Sequence, residues 1–181
     1  MGNKCSQWWS TCGSNCFWFR WRVKTVTDLP NENRPVKMST IKELSEIQPI
    51  EESFLGNWHS RRTPEETQLY CVTGIVQTID YSMWDLDIHI RISDEKGSCI
   101  TAEVPNPKTC IDSTYFSQIS ETYNSLYEWT HKNNIPCGDD ISKNRYIIII
   151  TGFLFYDYEH DAFCCKKKGS IELHPAISVI I

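Results

Sequence analysis

The sequence predicts a mainly β protein, a five-stranded OB-type barrel of strand order βββαββ with an N-terminal extension. Three observations predict this fold. From Gln68 onward, several segments alternate apolar and polar residues with the period of two that is typical of strands. One segment between the third and fourth of these changes to a helical period. Glycine and proline stand where a barrel strand bends or ends.

The chain divides into three regions. Residues 1–25 are rich in Trp, Phe and Cys, and residues 26–66 are polar and punctuated by prolines. The strand pattern occupies residues 67–181, which we interpret as the OB-like domain. The first two regions therefore predict an aromatic N-terminal segment and a linker.

One short helix is predicted within the linker. Thr40 and Glu43 have the spacing of a capping box, in which side chain and backbone bond reciprocally at a helix start. Ile41, Leu44 and Ile47 form a narrow apolar stripe. We expect this helix to dock on the barrel or on a partner.

The first three strands follow in order. The first runs from Gln68 to Asp80 and contains Gly74, which suits the bend of a barrel strand. The second, Asp85 to Ile92, alternates so regularly that its polar residues must share one face. The third ends at Pro105, with Ile100, Ala102 and Val104 pointing inward. The polar face of the second strand comprises Asp85, Asp87, His89 and Arg91.

The remaining elements complete the barrel. Asp112 to Asn133 has apolar residues every three or four positions, which predicts a helix that Asp112, Ser113 or Thr114 caps. Arg145 to Tyr156 is a strongly apolar strand. The last strand, Ser170 to Ile181, is expected to be interrupted by a proline. The positions of the expected bend and interruption are Gly152 and Pro175.

Composition limits the function. The net charge of -5 and the pI near 5.5 give no general attraction to polyanions. The nine cysteines are irregularly spaced, so we expect reduced thiols in a cytoplasmic protein rather than a disulfide framework. No long apolar run predicts a transmembrane helix.

Four short motifs resemble the signature of a group of uncharacterised, mostly bacterial OB-like proteins. The resemblance covers about residues 70–180, with Leu86 standing where the group's pattern has glycine. It implies the OB fold and no particular activity. The motifs are Asp87-Ile88-His89-Ile90, Ala102-Glu103-Val104-Pro105-Asn106-Pro107, Thr151-Gly152-Phe153 running to Asp157 and His160, and Ile171-Glu172-Leu173-His174-Pro175.

Acidic and histidine residues of these motifs are candidate metal ligands. The third and fifth strands of an OB barrel are neighbours, so Glu103 is expected to lie close to Glu172 and His174, with Asp87 one strand further round. Such side chains suit a divalent metal, and His89 and His160 are candidates for acid–base catalysis. The alternative is an ordinary polar strand face with cross-strand ion pairs in solvent.

Two loops and one strand carry a candidate ligand-binding surface. Trp84 follows the first strand, and a lysine cluster precedes the last one. An aromatic ring beside cationic side chains suits the stacking of a base and the binding of its phosphate. The alternative is a solvated loop tip. The predicted ligand-binding residues are Trp84, Arg91, Lys166, Lys167 and Lys168.

The N-terminus predicts lipidation. Gly2, with serine at position 6, fits the N-myristoylation pattern, and Cys5 is a candidate for palmitoylation. Alternating aromatic and basic residues further along residues 1–25 suit peripheral contact with a membrane surface. An arm that packs on the barrel or on another subunit explains the same pattern.

Three functions therefore remain open. We favour a non-catalytic OB binding module for single-stranded nucleic acid or a protein partner. The first alternative is a metal-dependent, phosphodiesterase-like hydrolase with a divalent metal cofactor. The second is a lipid-anchored adaptor, tethered to a membrane from the cytoplasmic side.

Overall fold

The computed structural model describes Val26, Leu29 and residues 34–48, 62–82, 86–156 and 171–181. It confirms the predicted OB-type barrel. The strands are β1 (Val36–Met38), β2 (Leu69–Tyr81), β3 (Ile88–Ser93), β4 (Cys99–Val104), β5 (Ile147–Tyr156) and β6 (Ile171–Ile180), and the α-helices are α1 (Ile41–Ser45) and α2 (Phe116–Lys132). Short 3₁₀ turns cover Glu65–Thr67 and Ser142–Asn144.

Five strands close the barrel. Along the sheet the order is β1-β2-β3-β4-β6-β5, and β5 pairs back onto β2. The β4–β6 pair is parallel, whereas the other pairs around the barrel are antiparallel. Helix α2 connects β4 to β5, as the predicted βββαββ order requires.

Alternate residues of the strands fill the barrel. Ile88, Ile90 and Ile92 of β3 are fully buried in the core. Because side chains alternate between the faces of a strand, His89 and Arg91 lie on the outer face of the barrel. The predicted division of β3 into an aliphatic and a polar face is therefore confirmed at these positions.

Gly152 lies where the backbone of β6 comes close to β5. A Cβ at this residue would lie 2.8 Å from the carbonyl oxygen of Pro175 and 3.0 Å from the Cα of Ala176. The pairing of the two strands is irregular at the same place. The bend predicted at Gly152 falls at this irregularity, and β6 leaves no room there for a side chain.

The region predicted as a linker adds two elements to the barrel. The Glu43 amide donates to the Thr40 hydroxyl over 3.1 Å, and the Thr40 amide donates to the Glu43 carboxylate over 2.8 Å, so the capping box is present. Ile41 and Leu44 of α1 are buried in the core, which confirms docking on the barrel. Ahead of α1, β1 pairs in parallel with β2.

Two predicted boundaries are wrong. Helix α2 begins at Phe116 and has no side-chain cap, because the Ser113 hydroxyl instead accepts from the Tyr115 amide in the preceding turn. Strand β3 begins at Ile88 rather than Asp85, since Leu86 has a left-handed φ of 66° that breaks the extended backbone. The interruption predicted at Pro175 is a shift in the register of the pairing with β5, and β6 itself continues past this residue.

A second, smaller apolar cluster lies on the outside of the barrel. Phe153 and Tyr115 meet edge to face, with ring centroids 5.2 Å apart. The start of α2 thereby covers the outer face of β5, because Phe153 alternates with the core residue Leu154. The members of this apolar cluster are Val26, Leu69, Cys110, Tyr115, Ile119, Phe153 and Ile177.

The described cysteines differ in state. Cys71 and Cys110 are buried free thiols, whereas Cys99 and Cys137 are disulfide-bonded. The expectation of reduced thiols is therefore wrong at the latter two, because spacing along the chain does not show which cysteines a fold brings together.

Among the helices of the described ranges, none has the length and apolar character needed to cross a membrane.

Candidate metal centre

Acidic and histidine side chains gather on the outer face of three adjacent strands. His89 of β3 lies opposite Glu103 of β4, and Thr101 of β4 lies beside Glu172 of β6. His174 follows Glu172 by two residues, and its imidazole contacts Glu103. We call these residues the carboxylate–histidine cluster: Asp87, His89, Glu103, Glu172 and His174.

His174 lies at the centre of the cluster. Its Nδ1 is 2.7 Å from Oε2 of Glu103 and 3.4 Å from Oε1 of Glu172. Its Nε2 is 3.7 Å from Oδ2 of Asp87. Because a carboxylate accepts, the short contact to Glu103 assigns a proton to Nδ1 and directs Nε2 toward Asp87.

His89 contacts the cluster from its more accessible side. Its Nε2 lies 3.3 Å from Oε1 of Glu103, without hydrogen-bond geometry. Its side chain is 29% exposed, against 4% for that of Glu103. Glu103 therefore lies between two imidazoles: that of His174, which is buried, and that of His89, whose ring is partly exposed although its Nε2 is buried.

The cluster is buried, although it lies on the outer face of the strands. Relative exposure is 1% for Asp87 and His174 and 3% for Glu103 and Glu172. The alternative of solvent-facing ion pairs on a wet strand face is wrong at these four positions. Period-two alternation separates two faces of a strand, but it does not show whether the outer face is covered.

Three members of the cluster have the spacing of a metal site. Asp87, Glu103 and His174 each offer one ligand atom, and these atoms lie within 4.8 Å of one another. Metal–ligand bonds of about 2.0–2.6 Å allow such separations around one ion. Mixed carboxylate and imidazole donors suit Mn²⁺, Fe²⁺ or Zn²⁺. Glu172 lies beside this metal group through its contact with His174.

Asn106 and Tyr123 border the site, and sequence reasoning assigned neither a role there. The Asn106 amide donates to Oδ1 of Asp87 over 2.9 Å. Tyr123 donates to the Leu86 carbonyl over 3.2 Å, and burial raises the pKa of Tyr123 to about 12, so its hydroxyl keeps its proton. The available signals were weak: an asparagine just after a strand, and a hydroxyl within an apolar helix stripe.

Cys110 lies near the cluster as a neutral thiol. Burial raises its pKa to about 12, and the charge of Asp87 acts in the same direction. Its Sγ lies 3.5 Å from the Asn106 carbonyl, to which the thiol donates a weak hydrogen bond. Cys110 is not one of the residues whose ligand atoms converge in this cluster.

Of the other predicted site residues, Arg91 falls within the described ranges. It is half-buried on β3, opposite Thr101 of β4 and Thr78 of β2. The rest lie outside the described residues, so their predicted roles stay predictions. They are the acid–base candidate His160, the ligand-binding candidates Trp84, Lys166, Lys167 and Lys168, and the lipidation sites Gly2 and Cys5.

Comparisons of the chain with protein-family models, with curated proteins and with solved structures gave no match. The resemblance to the bacterial OB-like group therefore stays a prediction.

Proposed function

We propose that this protein is an OB-type binding module in which Asp87, Glu103 and His174 hold a divalent metal ion. The observation that carries the proposal is the convergence of their ligand atoms to within 4.8 Å of one another in a buried position. These residues come from three separate segments of the chain, so the fold itself assembles the group. Water-excluded carboxylate and imidazole donors in such a group favour a transition-metal ion.

The contacts of His174 also support the proposal. Its Nδ1 donates to Glu103 over 2.7 Å and its Nε2 lies 3.7 Å from Oδ2 of Asp87, so the imidazole lies between the two carboxylates. An ion bound by all three residues would replace the hydrogen bond to Glu103, because a carboxylate that accepts from Nδ1 lies too far away to bind an ion on Nε2 of the same ring.

A stability measurement tests the metal site. Protein stripped with a chelator is melted with Mn²⁺, Zn²⁺, Mg²⁺ or Ca²⁺, and bound metal is quantified by mass spectrometry. At an ion concentration about 100 times Kd, binding adds about 2.7 kcal/mol, which raises Tm by about 5 to 10 °C for a chain of this size. We expect Mn²⁺ and Zn²⁺ to give the largest increase.

Two glutamate variants make the test specific. Glu103→Gln keeps the shape of the side chain and removes its charge, so the metal-induced rise in Tm should disappear. Glu95→Gln is the matched control, because Glu95 is 78% exposed and pairs with Arg145 on the surface. An unchanged Tm in all four metals, or equal shifts in both variants, contradicts the proposal.

The residues on the outer face of β3 support one class of ligand for the module. Arg91 lies two residues beyond His89 on this face, and OB folds commonly bind oligonucleotides across the equivalent strand. We extend the proposal to single-stranded nucleic acid on this face. An oligonucleotide titration at low salt, with Arg91→Ala as the variant, is expected to show saturable binding that the variant weakens.

A metal-dependent hydrolase of the phosphodiesterase type is the second candidate. His89 favours it, because its ring is partly exposed and its buried Nε2 lies beside the proposed metal ligand Glu103, which suits proton transfer. The test is hydrolysis of bis(p-nitrophenyl) phosphate by Mn²⁺-loaded protein. We expect His89→Ala to lose the activity and to keep the metal-induced rise in Tm. Metal-loaded protein that hydrolyses no faster than Mn²⁺ in buffer removes this candidate.

A further inference from the structure

Asp87 presents its two carboxylate oxygens to different partners. Oδ1 accepts the Asn106 backbone amide over 2.9 Å, and Oδ2 lies 3.7 Å from Nε2 of His174. The bond to Asn106 therefore fixes the plane of the carboxylate. It leaves Oδ2 directed at the imidazole nitrogen that the metal group offers.

Asn106 is itself held in place by its side chain. Its Oδ1 accepts the Lys108 amide over 2.9 Å, and its Nδ2 donates to the Tyr123 hydroxyl over 3.2 Å. Asn106 is 6% exposed. A buried amide that uses both ends of its side chain has one stable orientation, so the turn after β4 is fixed against α2.

The Tyr123 hydroxyl connects the two segments that flank the metal group. It accepts from Asn106 and donates to the carbonyl of Leu86, the residue before Asp87. Leu86 has a φ of 66°, a left-handed conformation that is unfavourable for leucine. A hydrogen bond to its carbonyl helps to hold this conformation, and with it the direction in which Asp87 leaves the backbone.

We propose that Tyr123 and Asn106 form a positioning pair that sets the carboxylate of Asp87 for metal binding. The inference rests on the proposed metal site and adds a role for α2, which carries Tyr123. Neither residue is a ligand. The Asn106 backbone amide donates to Asp87, and Tyr123 supports it through its bonds to Asn106 and to the Leu86 carbonyl. In metal sites, loss of the hydrogen-bonding groups that support a ligand typically weakens metal affinity about 10- to 100-fold.

Tyr123→Phe tests the pair, because it removes one hydroxyl and keeps the ring. We expect Mn²⁺ affinity, measured by titration calorimetry, to fall about 10- to 100-fold. The visible absorption spectrum of the Co²⁺-loaded protein should also change, because the carboxylate is no longer held in one orientation. Loss of a hydrogen bond that served stability alone would leave that spectrum unchanged.

Tyr81→Phe is the matched control. The Tyr81 hydroxyl lies 2.6 Å from the Thr130 hydroxyl, so this variant also removes a tyrosine hydrogen bond to α2. This bond involves neither Leu86 nor Asn106, and we expect wild-type Mn²⁺ affinity and a wild-type Co²⁺ spectrum. Asn106→Ala serves as a second variant, because it removes the bond to Tyr123 and keeps the backbone amide that binds Asp87.

The outcomes separate the two proposals. If the wild-type protein binds no divalent metal, the proposed metal site fails and the positioning pair fails with it. If the wild type binds Mn²⁺ and Tyr123→Phe binds it equally well with the same Co²⁺ spectrum, the positioning pair fails alone. If Tyr123→Phe does not fold, wild-type affinity in Asn106→Ala likewise overturns the pair.

Discussion

Two clusters on the outside of the same barrel are both buried, and they differ in what their burial contributes. The apolar cluster around Phe153 is stabilised by removing hydrocarbon from water, at about 25 cal/mol per Å². In the carboxylate–histidine cluster, every member except His89 is equally inaccessible, but carboxylates lose hydration when they are buried. The burial of the apolar cluster is explained by its contribution to stability. The burial of the carboxylate–histidine cluster needs another explanation.

Strand β5 contacts both clusters, so the two can be compared within one part of the barrel. Phe153 belongs to the apolar cluster, and Phe155, two residues along the same face, has its ring centroid 5.9 Å from that of His174. Buried ionic groups can often be replaced by apolar residues at little cost to stability. Their presence beside an apolar cluster is therefore a reason to test the proposed metal site.

Truncating one central side chain in each cluster gives the largest expected effects. Phe153→Ala should lower the free energy of unfolding by about 3 to 5 kcal/mol and leave the Mn²⁺-induced rise in Tm unchanged. His174→Ala should cost about 3 to 5 kcal/mol, because it removes the imidazole between Asp87 and Glu103, and should also abolish that rise. Chemical denaturation and melting with added Mn²⁺ measure both quantities.

The opposite result for His174→Ala would contradict the proposed difference between the two clusters. A variant at least as stable as the wild type, with an intact response to Mn²⁺, would make the cluster an ordinary set of buried polar contacts. Phe153→Ala is the control for general destabilisation, because it is expected to cost as much without touching the metal group.

Gly152→Ala is expected to disturb both clusters through the backbone. Its Cβ would meet backbone atoms of Pro175 and Ala176, so β5 and β6 must move apart, at a cost of about 1 to 3 kcal/mol. Because β6 carries His174, Mn²⁺ affinity should fall as well. Denaturation and calorimetric titration would detect the two effects.

The control is Gly74→Ala. The closest atom to its added Cβ is Cδ1 of Ile41, at 2.6 Å, and this flexible end of a side chain can shift. We expect a smaller loss of stability and wild-type Mn²⁺ affinity. Equal losses of affinity in both variants would show that the metal group responds to any change in packing.

The alternation of residues predicted much of the fold and the neighbours in the cluster. Period two separated Ile88 and Ile90 from His89, and the OB rule that the third and fifth strands adjoin predicted that Glu103 lies near His174. These predictions depend on local pattern and on topology, and both can be inferred from sequence.

Burial of the cluster could not be predicted in the same way. It depends on what packs over the outer face, and no periodicity within β3 or β4 contains that information. The role of Asn106 depends on one backbone hydrogen bond to a residue 19 positions earlier. Strand β1 was missed for a related reason, because its three residues pair through their backbone and all of them are exposed.

Thr122→Val tests how far the apolar cluster depends on polar contacts. The Thr122 hydroxyl donates to the Ile177 carbonyl over 2.8 Å and ties α2 to β6. Valine has a similar shape and no donor, so the free energy of unfolding should fall by about 1 to 2 kcal/mol. Mn²⁺ affinity should not change. A loss of affinity would show that α2 reaches the metal group through β6 as well as through Tyr123.

Leu86→Gly has the smallest expected effect and addresses the residue beside Asp87. Glycine at a φ of 66° avoids a steric cost of about 1 to 2 kcal/mol, and its larger entropy loss on folding offsets about 0.5 to 1 kcal/mol of this gain. The expected net stabilisation is about 0.5 to 1 kcal/mol by denaturation. Leu86→Ala, which keeps the unfavourable conformation, should give none. A more stable Leu86→Gly with weaker Mn²⁺ binding would show that the strained backbone serves the metal group, because glycine lets Asp87 leave the backbone in more than one direction.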